Sequence, residues 1–307
     1  MNVAVLSGGV GGARFVQGLL DAIDPAGVTV IGNVGDDLEV AGLHVSPDLD
    51  TLLYTLGGVG DDERGWGRAG ETWQALEVAR ELGAETWFQL GDKDLGLHLA
   101  RTDALERGEP LSAVIDRFAR ALGITARILP ATDDSLRTWI QTADGELPFQ
   151  EWFVRLRHEP DVLDVRFEGA ETARPAPGVL EAVAEADLIV IAPSNPFVSI
   201  GPVLAVQEIH TAITNRRVPC VAISPLIGGK AVKGPADRML SRLKGGTDPF
   251  QVTQCYLGLI DALVYDEVDG EVDLGDVRPI ATRTLMTDAS ARRRLAESAL
   301  EAAAVAR

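Results

Sequence analysis

The chain has 307 residues, 46% of them hydrophobic, which suits one large α/β domain or two moderate ones and excludes bulk disorder. Acidic side chains number 46 against 28 basic, a formal charge of −18 that disfavours nucleic acid and anionic membranes as partners. Two cysteines, Cys220 and Cys255, are too few for a disulfide framework, and no apolar run approaches a membrane span, so a reducing cytoplasm is the expected setting.

Strand-like runs alternate with helical patterns, which predicts a Rossmann-like, doubly wound and mostly parallel sheet. Val3–Ser7 reads as a strand, followed by a helix to about Ile23 that carries Phe15, Leu19 and Leu20. Val28–Ile31 is the second strand. A helix is expected to begin near Asp50 and a further one to run from Glu71 to Leu82, stopping at Gly83. Thr86–Leu90 reads as a third strand, and helices are expected at Leu97–Leu105 and Leu111–Leu122. Arg127–Leu129, Leu136–Thr142, Phe149–Arg155 and Val162–Phe167 are short extended runs separated by turns. Residues 91–173 therefore read as an inserted α+β region, helices first and antiparallel strands after. Residues 1–90 and 174–307 form the core. The second part of that core has helices at Gly178–Ala186, Val203–Ile213 and Asp288–Ala304, and strands at Leu188–Ala192, Val218–Ile223 and Ala262–Tyr265.

The chemistry concentrates where strands end. After Val3–Leu6 comes Ser7-Gly8-Gly9-Val10-Gly11-Gly12-Ala13-Arg14, in which Gly8, Gly9, Gly11 and Gly12 leave backbone N–H groups open to an anion at a helix N-terminus, or make a tight strand-to-helix turn with no ligand. It is neither the dinucleotide fingerprint nor a Walker loop, because Arg14 stands where the last glycine of the fingerprint belongs and no lysine–hydroxyl pair follows. Asn33-Val34-Gly35-Asp36-Asp37 follows the second strand, as a phosphate, ribose or metal contact or as an Asx turn. In Pro47-Asp48-Leu49-Asp50-Thr51 the two carboxylates are hard ligands suited to Mg²⁺, a base for an attacking hydroxyl, or helix caps. Leu90-Gly91-Asp92-Lys93-Asp94 offers Lys93 to a phosphate or hydroxyl, or is a charged turn. Ser194, Asn195 and Pro196, with a helix N-terminus near Gly201-Pro202, read as a second anion cradle or as a purely structural turn, and Ser224–Lys230 follows the next strand in similar style with the same two readings. Phe149–Phe153 is either a flat surface for a ring or core packing. The four histidines lack zinc-ligand spacing, and no Gly-x-Ser-x-Gly elbow occurs.

In this order, Ser7–Arg14, Asn33–Asp37, Ser46–Thr51, Leu90–Asp94, Phe149–Trp152, Ala192–Pro202 and Leu285–Asp288 resemble the 2-phospho-L-lactate transferase family of deazaflavin coenzyme (F-420) biosynthesis, over essentially the whole chain. The resemblance implies Mg²⁺-dependent transfer of a phospholactyl or phosphoenolpyruvyl group from a guanosine diphosphate ester to the terminal ribityl hydroxyl of the deazaflavin Fo, releasing GMP. It assigns Asp50 to acceptor and metal with Asp48 beside it, and Lys93 to the acceptor, where relatives usually carry arginine. It assigns Gly8–Gly12 and Ser194–Pro196 to the nucleotide phosphates and implies a homodimer. A non-catalytic nucleotide-sugar-binding regulator of related fold is the alternative, and an NAD-dependent oxidoreductase a more distant one.

Overall fold

Val3-Ala4-Val5-Leu6 and Leu188-Ile189-Val190-Ile191 are unbroken apolar runs, the pattern of strands covered on both faces, and they pair side by side in the middle of the sheet. The structure, a computed structural model, describes residues 1–305. Its first half comprises β1 (Val3–Ser7), α1 (Gly9–Ala22), β2 (Val28–Gly32), the β3–β4 hairpin (Leu38–Val40, Leu43–Val45), α2 (Pro47–Leu56), α3 (Gln74–Glu81), α4 (Asp92–Glu106), α5 (Leu111–Ala121) and β5 (Arg127–Pro130). Then come β6 (Arg137–Thr142), β7 (Gly145–Pro148), β8 (Asp164–Glu168), α6 (Val179–Ala184), β9 (Leu188–Ile191), α7 (Gly201–Ala205), α8 (Gln207–Thr214) and β10 (Cys220–Ile223). The β11–β12 hairpin (Leu226–Ile227, Lys230–Ala231), α9 (Ala236–Lys244), α10 (Pro249–Cys255), β13 (Ala262–Asp266), β14 (Arg278–Thr282) and α11 (Ala289–Val305) complete it.

The seven-stranded sheet has the order β14-β13-β10-β9-β1-β2-β5, and every pair in it is parallel. Val5 faces Val30 on one side and Val190 on the other. From β1 the chain moves outward through β2 to β5. From β9 it moves the opposite way, so the order reverses between β1 and β9. A crevice above the carboxyl ends of those two strands is where ligands of open α/β sheets bind.

Helix α1 crosses α11 so closely that a side-chain carbon on Gly18 would lie 2.3 Å from the Arg292 carbonyl oxygen. A second, smaller apolar cluster joins Ile140, Phe149, Trp152 and Val162 to Val198 and Met239, so the β6–β7–β8 sheet leans on the loop after β9.

Several elements differ from the sequence expectation. Helix α2 begins at Pro47, one turn earlier than expected, because proline at the first helical position and acids in the first turn favour that end. The Glu71–Leu82 helix shortens to Gln74–Glu81. Thr86–Leu90 is not a strand: its adjacent Trp87 and Phe88 sit in an irregular segment leading into α4, so Lys93 lies at a helix N-terminus and not at a strand end. Arg127–Leu129, expected within the insertion, belongs to β5 at the edge of the main sheet. Apolar residues of α5 such as Ile115 join the main core. Phe149–Arg155 is not extended; Glu151–Arg155 forms a π-helical turn that buries Trp152. Val203–Ile213 breaks at Val206 into α7 and α8, and the helical path there starts at Pro196, capped by Asn195, and not at Gly201. Strand β14 was not expected, since Arg278–Thr282 is an edge strand with a proline and partly exposed side chains.

Candidate active site

Helix α1 starts at Gly9, directly above the carboxyl end of β1. The first N–H groups of an α-helix have no partner within it and carry its positive dipole end. The Gly9 N–H donates to Asp48 Oδ1 at 2.7 Å, so a carboxylate from the first turn of α2 already occupies part of that end. Gly9, Val10 and Gly11 are half-buried, whereas Gly8 and Gly12 are buried. The glycines are also demanded by close packing. A side-chain carbon at Gly12 would lie 2.4 Å from Ser7 Oγ and 2.6 Å from Ser194 Oγ, and one at Gly11 2.6 Å from the Pro193 carbonyl. Ser194 clips the two strand ends together: its hydroxyl donates to the Gly8 carbonyl and accepts from the Gly8 N–H. Asn195 spends its carbonyl on the Phe197 N–H at the start of the π-helical turn, and Pro196 is buried at its first position.

Asn33 does not face an open phosphate site; it is fully buried and organises acids. Its amide nitrogen donates to Asp36 Oδ1 and Asp48 Oδ2, both at 2.9 Å, and to the Val198 carbonyl, while its oxygen accepts from the Gly35 N–H in an Asx turn. Asp37 accepts from Ser46 Oγ and pairs with His44 Nε2 at 3.0 Å, and its other oxygen, Oδ1, is buried with no partner. Burial, and then the charge of neighbouring Asp37, pushes the Asp48 carboxyl up to about 6, despite hydrogen bonds from Asn33 and Gly9 that pull it down. Burial first, and then the Asp48 and Asp37 charges, holds Asp36 well above the usual carboxylate range.

Asp50 faces elsewhere. Two residues along a helix is about 200° around it, so Asp48 and Asp50 cannot point the same way. Asp50 is gripped by both terminal nitrogens of Arg101, which is fully buried, and its Oδ2 also lies 3.7 Å from His98 Nδ1. Burial, and next to it the Arg101 charge, brings the His98 imidazole down to about 4, although Asp50 works the other way. On the same helix Asp94 accepts from the Tyr54 hydroxyl at 2.5 Å, and burial raises its carboxyl to about 6. Asp94, His98 and Arg101 fall at i, i+4 and i+7, so α4 turns a polar stripe inward against α2. Lys93 is exposed and donates to the Ala69 carbonyl at 2.8 Å. In the Ser224–Lys230 loop, the N–H groups of Gly228 and Gly229 are taken by Asp269.

The donor set suits a hard divalent cation. Asp36, Asp37 and Asp48 are buried, and Asp37 Oδ1 has no partner. Among the described residues no three Asp, Glu, His or Cys side chains meet at one metal position. A cation held here would take one or two of these carboxylates and draw the rest of its ligands from elsewhere, as Mg²⁺ does. Asp48 is free of any cationic partner, whereas Asp50 is committed to Arg101.

Comparison with known proteins supplies the class. Relatives named phosphoenolpyruvate transferase occur in Streptomyces griseus, 44% identical over 99% of this chain and 98% of the relative, and in Thermobifida fusca, 40% identical over 99% and 98%. One in Mycobacterium tuberculosis is 39% identical over 99% of both chains. A crystal structure of a member of the upf0052 family from Bacillus halodurans shares the fold, with a TM-score of 0.64 at 20% identity over 97% of this chain and 99% of that one. The protein is a transferase, which sets aside a non-catalytic regulator. Residues 3–295 match the family described as 2-phospho-L-lactate transferase CofD, and the chain belongs to it. No single helix among the described residues is long and apolar enough to cross a membrane.

Proposed function

We propose that this protein, working in coenzyme F-420 biosynthesis, transfers a phosphoenolpyruvyl group from its guanosine diphosphate ester to the terminal ribityl hydroxyl of Fo. The acceptor oxygen forms a new bond to the phosphorus that carries the enolpyruvyl group, and the bond from that phosphorus to the bridging oxygen breaks. GMP leaves, and the product is a phosphodiester. Enolpyruvate is preferred to lactate because the names of the relatives at 39–44% identity carry it.

The observation that carries this reading is the Asp48 carboxylate on the Gly9 N–H, at the point where the strand order reverses. Amides of the α1 N-terminus bind diphosphate oxygens there, and Asp48 with Asp36 or Asp37 would hold Mg²⁺. A bound Mg²⁺ supplies neutralisation of the charge that builds on the transferring phosphoryl group. Asn33 fixes Asp48 in place, and Ser194 fixes the glycine turn that faces it. Asp50, oriented by Arg101, receives the acceptor hydroxyl and takes its proton, while Lys93 contacts the acceptor from the α4 N-terminus. Aligning hydroxyl and diphosphate in this way contributes the entropic part of the rate.

The test is incubation of the protein with Fo, Mg²⁺ and either the enolpyruvyl or the lactyl guanosine diphosphate ester, followed by mass spectrometry. The expected result is a more anionic deazaflavin and GMP in equal amounts, with the enolpyruvyl donor preferred. Absence of both products with either donor refutes the assignment.

A further inference from the structure

The segment between α2 and α3 gathers cations in a chain whose net charge is −18. Its backbone closes on itself as a short loop: Gly60 and Arg68 form an antiparallel bridge, and the N–H groups of Val59 and Gly60 both donate to the Tyr54 carbonyl at 3.0 Å. Arg68 is thereby fixed at the base of the loop, against the end of α2. Of the cationic side chains on and around this loop, most are engaged by the chain itself. Arg14 faces Asp62 at 3.8 Å, Arg64 pairs with Asp61 at 2.6 Å, Lys93 donates to the Ala69 carbonyl and Lys233 to the Gly65 carbonyl. The Arg68 guanidinium has no ion-pair or hydrogen-bond partner among the described residues: it lies over the Tyr54 ring, 5.6 Å from the centroid, with its Nε buried and unpaired.

Tyr54 lies four residues after Asp50 on α2, so the two side chains fall on one face of that helix, about 6 Å apart along its axis. Asp94 links them to Arg68: it accepts from the Tyr54 hydroxyl, and its carboxyl, raised first by burial, feels the Asp50 charge and the opposing Arg68 charge. A guanidinium with all its donors unused suits a planar anion, since a carboxylate accepts two parallel N–H bonds from it. The donor of the function above carries such an anion besides its diphosphate. The carboxylate of its three-carbon acid stands one ester oxygen and one carbon from the transferring phosphorus, and the acids around the crevice would repel it without a counter-charge. We propose that Arg68 is a specificity-determining residue that receives this carboxylate, and so selects a diphosphate ester whose alcohol is a hydroxy- or enol-acid. The proposal rests on that function and adds to it the contact by which the acid is recognised.

The experiment is calorimetric titration of the full chain in magnesium buffer, without Fo so that no transfer occurs. The two ligands are the lactyl guanosine diphosphate ester and its carboxamide analogue, in which a neutral amide replaces the carboxylate. Wild type is compared with Arg68→Gln and with Lys233→Gln, whose ammonium the loop already engages, and circular dichroism melts confirm folding. Wild type should bind the acid more tightly than the amide, on the order of tenfold. Arg68→Gln should remove that margin while leaving amide binding within about twofold, and Lys233→Gln should keep the margin. A merely structural role of Arg68 would weaken both ligands alike, and that result overturns the proposal. So does a margin that Lys233→Gln abolishes, or equal binding of acid and amide by wild type. If wild type binds neither ester, the donor assignment falls and the contact with it. If it binds both and the margin survives Arg68→Gln, the contact alone falls.

Discussion

Arg101 and Asp50 form an ion pair with 0% and 5% of their surface exposed, and this pair holds the carboxylate proposed to meet the acceptor. Replacing Arg101 by methionine keeps a flexible stem of similar length but leaves Asp50 buried without its partner. Removing one member of such a pair costs about 3–5 kcal/mol of stability, because the remaining charge has lost both water and counter-ion. The double variant Asp50→Asn/Arg101→Met leaves no uncompensated charge and should be more stable than Arg101→Met alone. Urea unfolding of wild type, both single variants and the double variant measures this coupling. His98 gives a second readout: its imidazole is brought down to about 4 first by burial and then partly by Arg101, so its pKa should rise in Arg101→Met, as followed by NMR. A loss below about 1 kcal/mol in Arg101→Met, with the double variant no better, would refute the claim that this pair is what holds Asp50.

Asp50→Asn leaves Arg101 without its counter-ion and should lose about 3–5 kcal/mol of stability, and its folded fraction should lose on the order of 10²–10³ in turnover, as for loss of a group acting in the transition state; near-normal transfer at saturating Mg²⁺ removes Asp50 from the reaction. Asp48 has its folded pKa raised to about 6, so its favourable contribution is complete below its ordinary value near 3.8 and is lost as pH rises through about 6. The stability of wild type relative to Asp48→Asn in metal-free buffer should therefore fall from pH 4.5 to 7, by about 2 kcal/mol; a flat difference shows that Asp48 ionises as freely in the fold as outside it. Gly18→Ala should destabilise by about 1–3 kcal/mol in urea, since its new carbon meets the Arg292 carbonyl at 2.3 Å and this overpacking outweighs the better helix propensity of alanine. A stabilised Gly18→Ala protein would mean that α1 and α11 separate at little cost.

Much of the sheet was legible because its central strands are continuously apolar, and β1, β2, β9, β10 and β13 lie where that pattern puts them. Edge and short elements were not. Arg127–Pro130 carries two apolar residues that suit an antiparallel hairpin as well as a parallel edge. Thr86–Leu90 has strand-like composition with no strand beside it to accept its hydrogen bonds. At the site, the glycine turn and the Asp48–Asp50 pair stood out, but the partners that hold the two carboxylates on opposite sides of α2 did not. Asn33 is an amide whose neighbours come from Asp36, Asp48 and Val198, which no local pattern brings together. The Asp94–His98–Arg101 stripe did leave a signal: three ionisable residues on one face of a helix, of which only tertiary packing decides whether the face points inward.

The α1–α11 crossing joins residue 18 to residue 292, and β1 pairs with β9 from 185 positions further along. During synthesis the first helix therefore emerges long before the surface that covers it, and the central strand waits for its second neighbour until more than half of the polypeptide has left the ribosome. Sequence-distant pairing of this kind is slow and leaves apolar surface open in the interval. The nascent chain is then a natural client for chaperones, and refolding from denaturant should aggregate more readily than the size of the domain alone would imply.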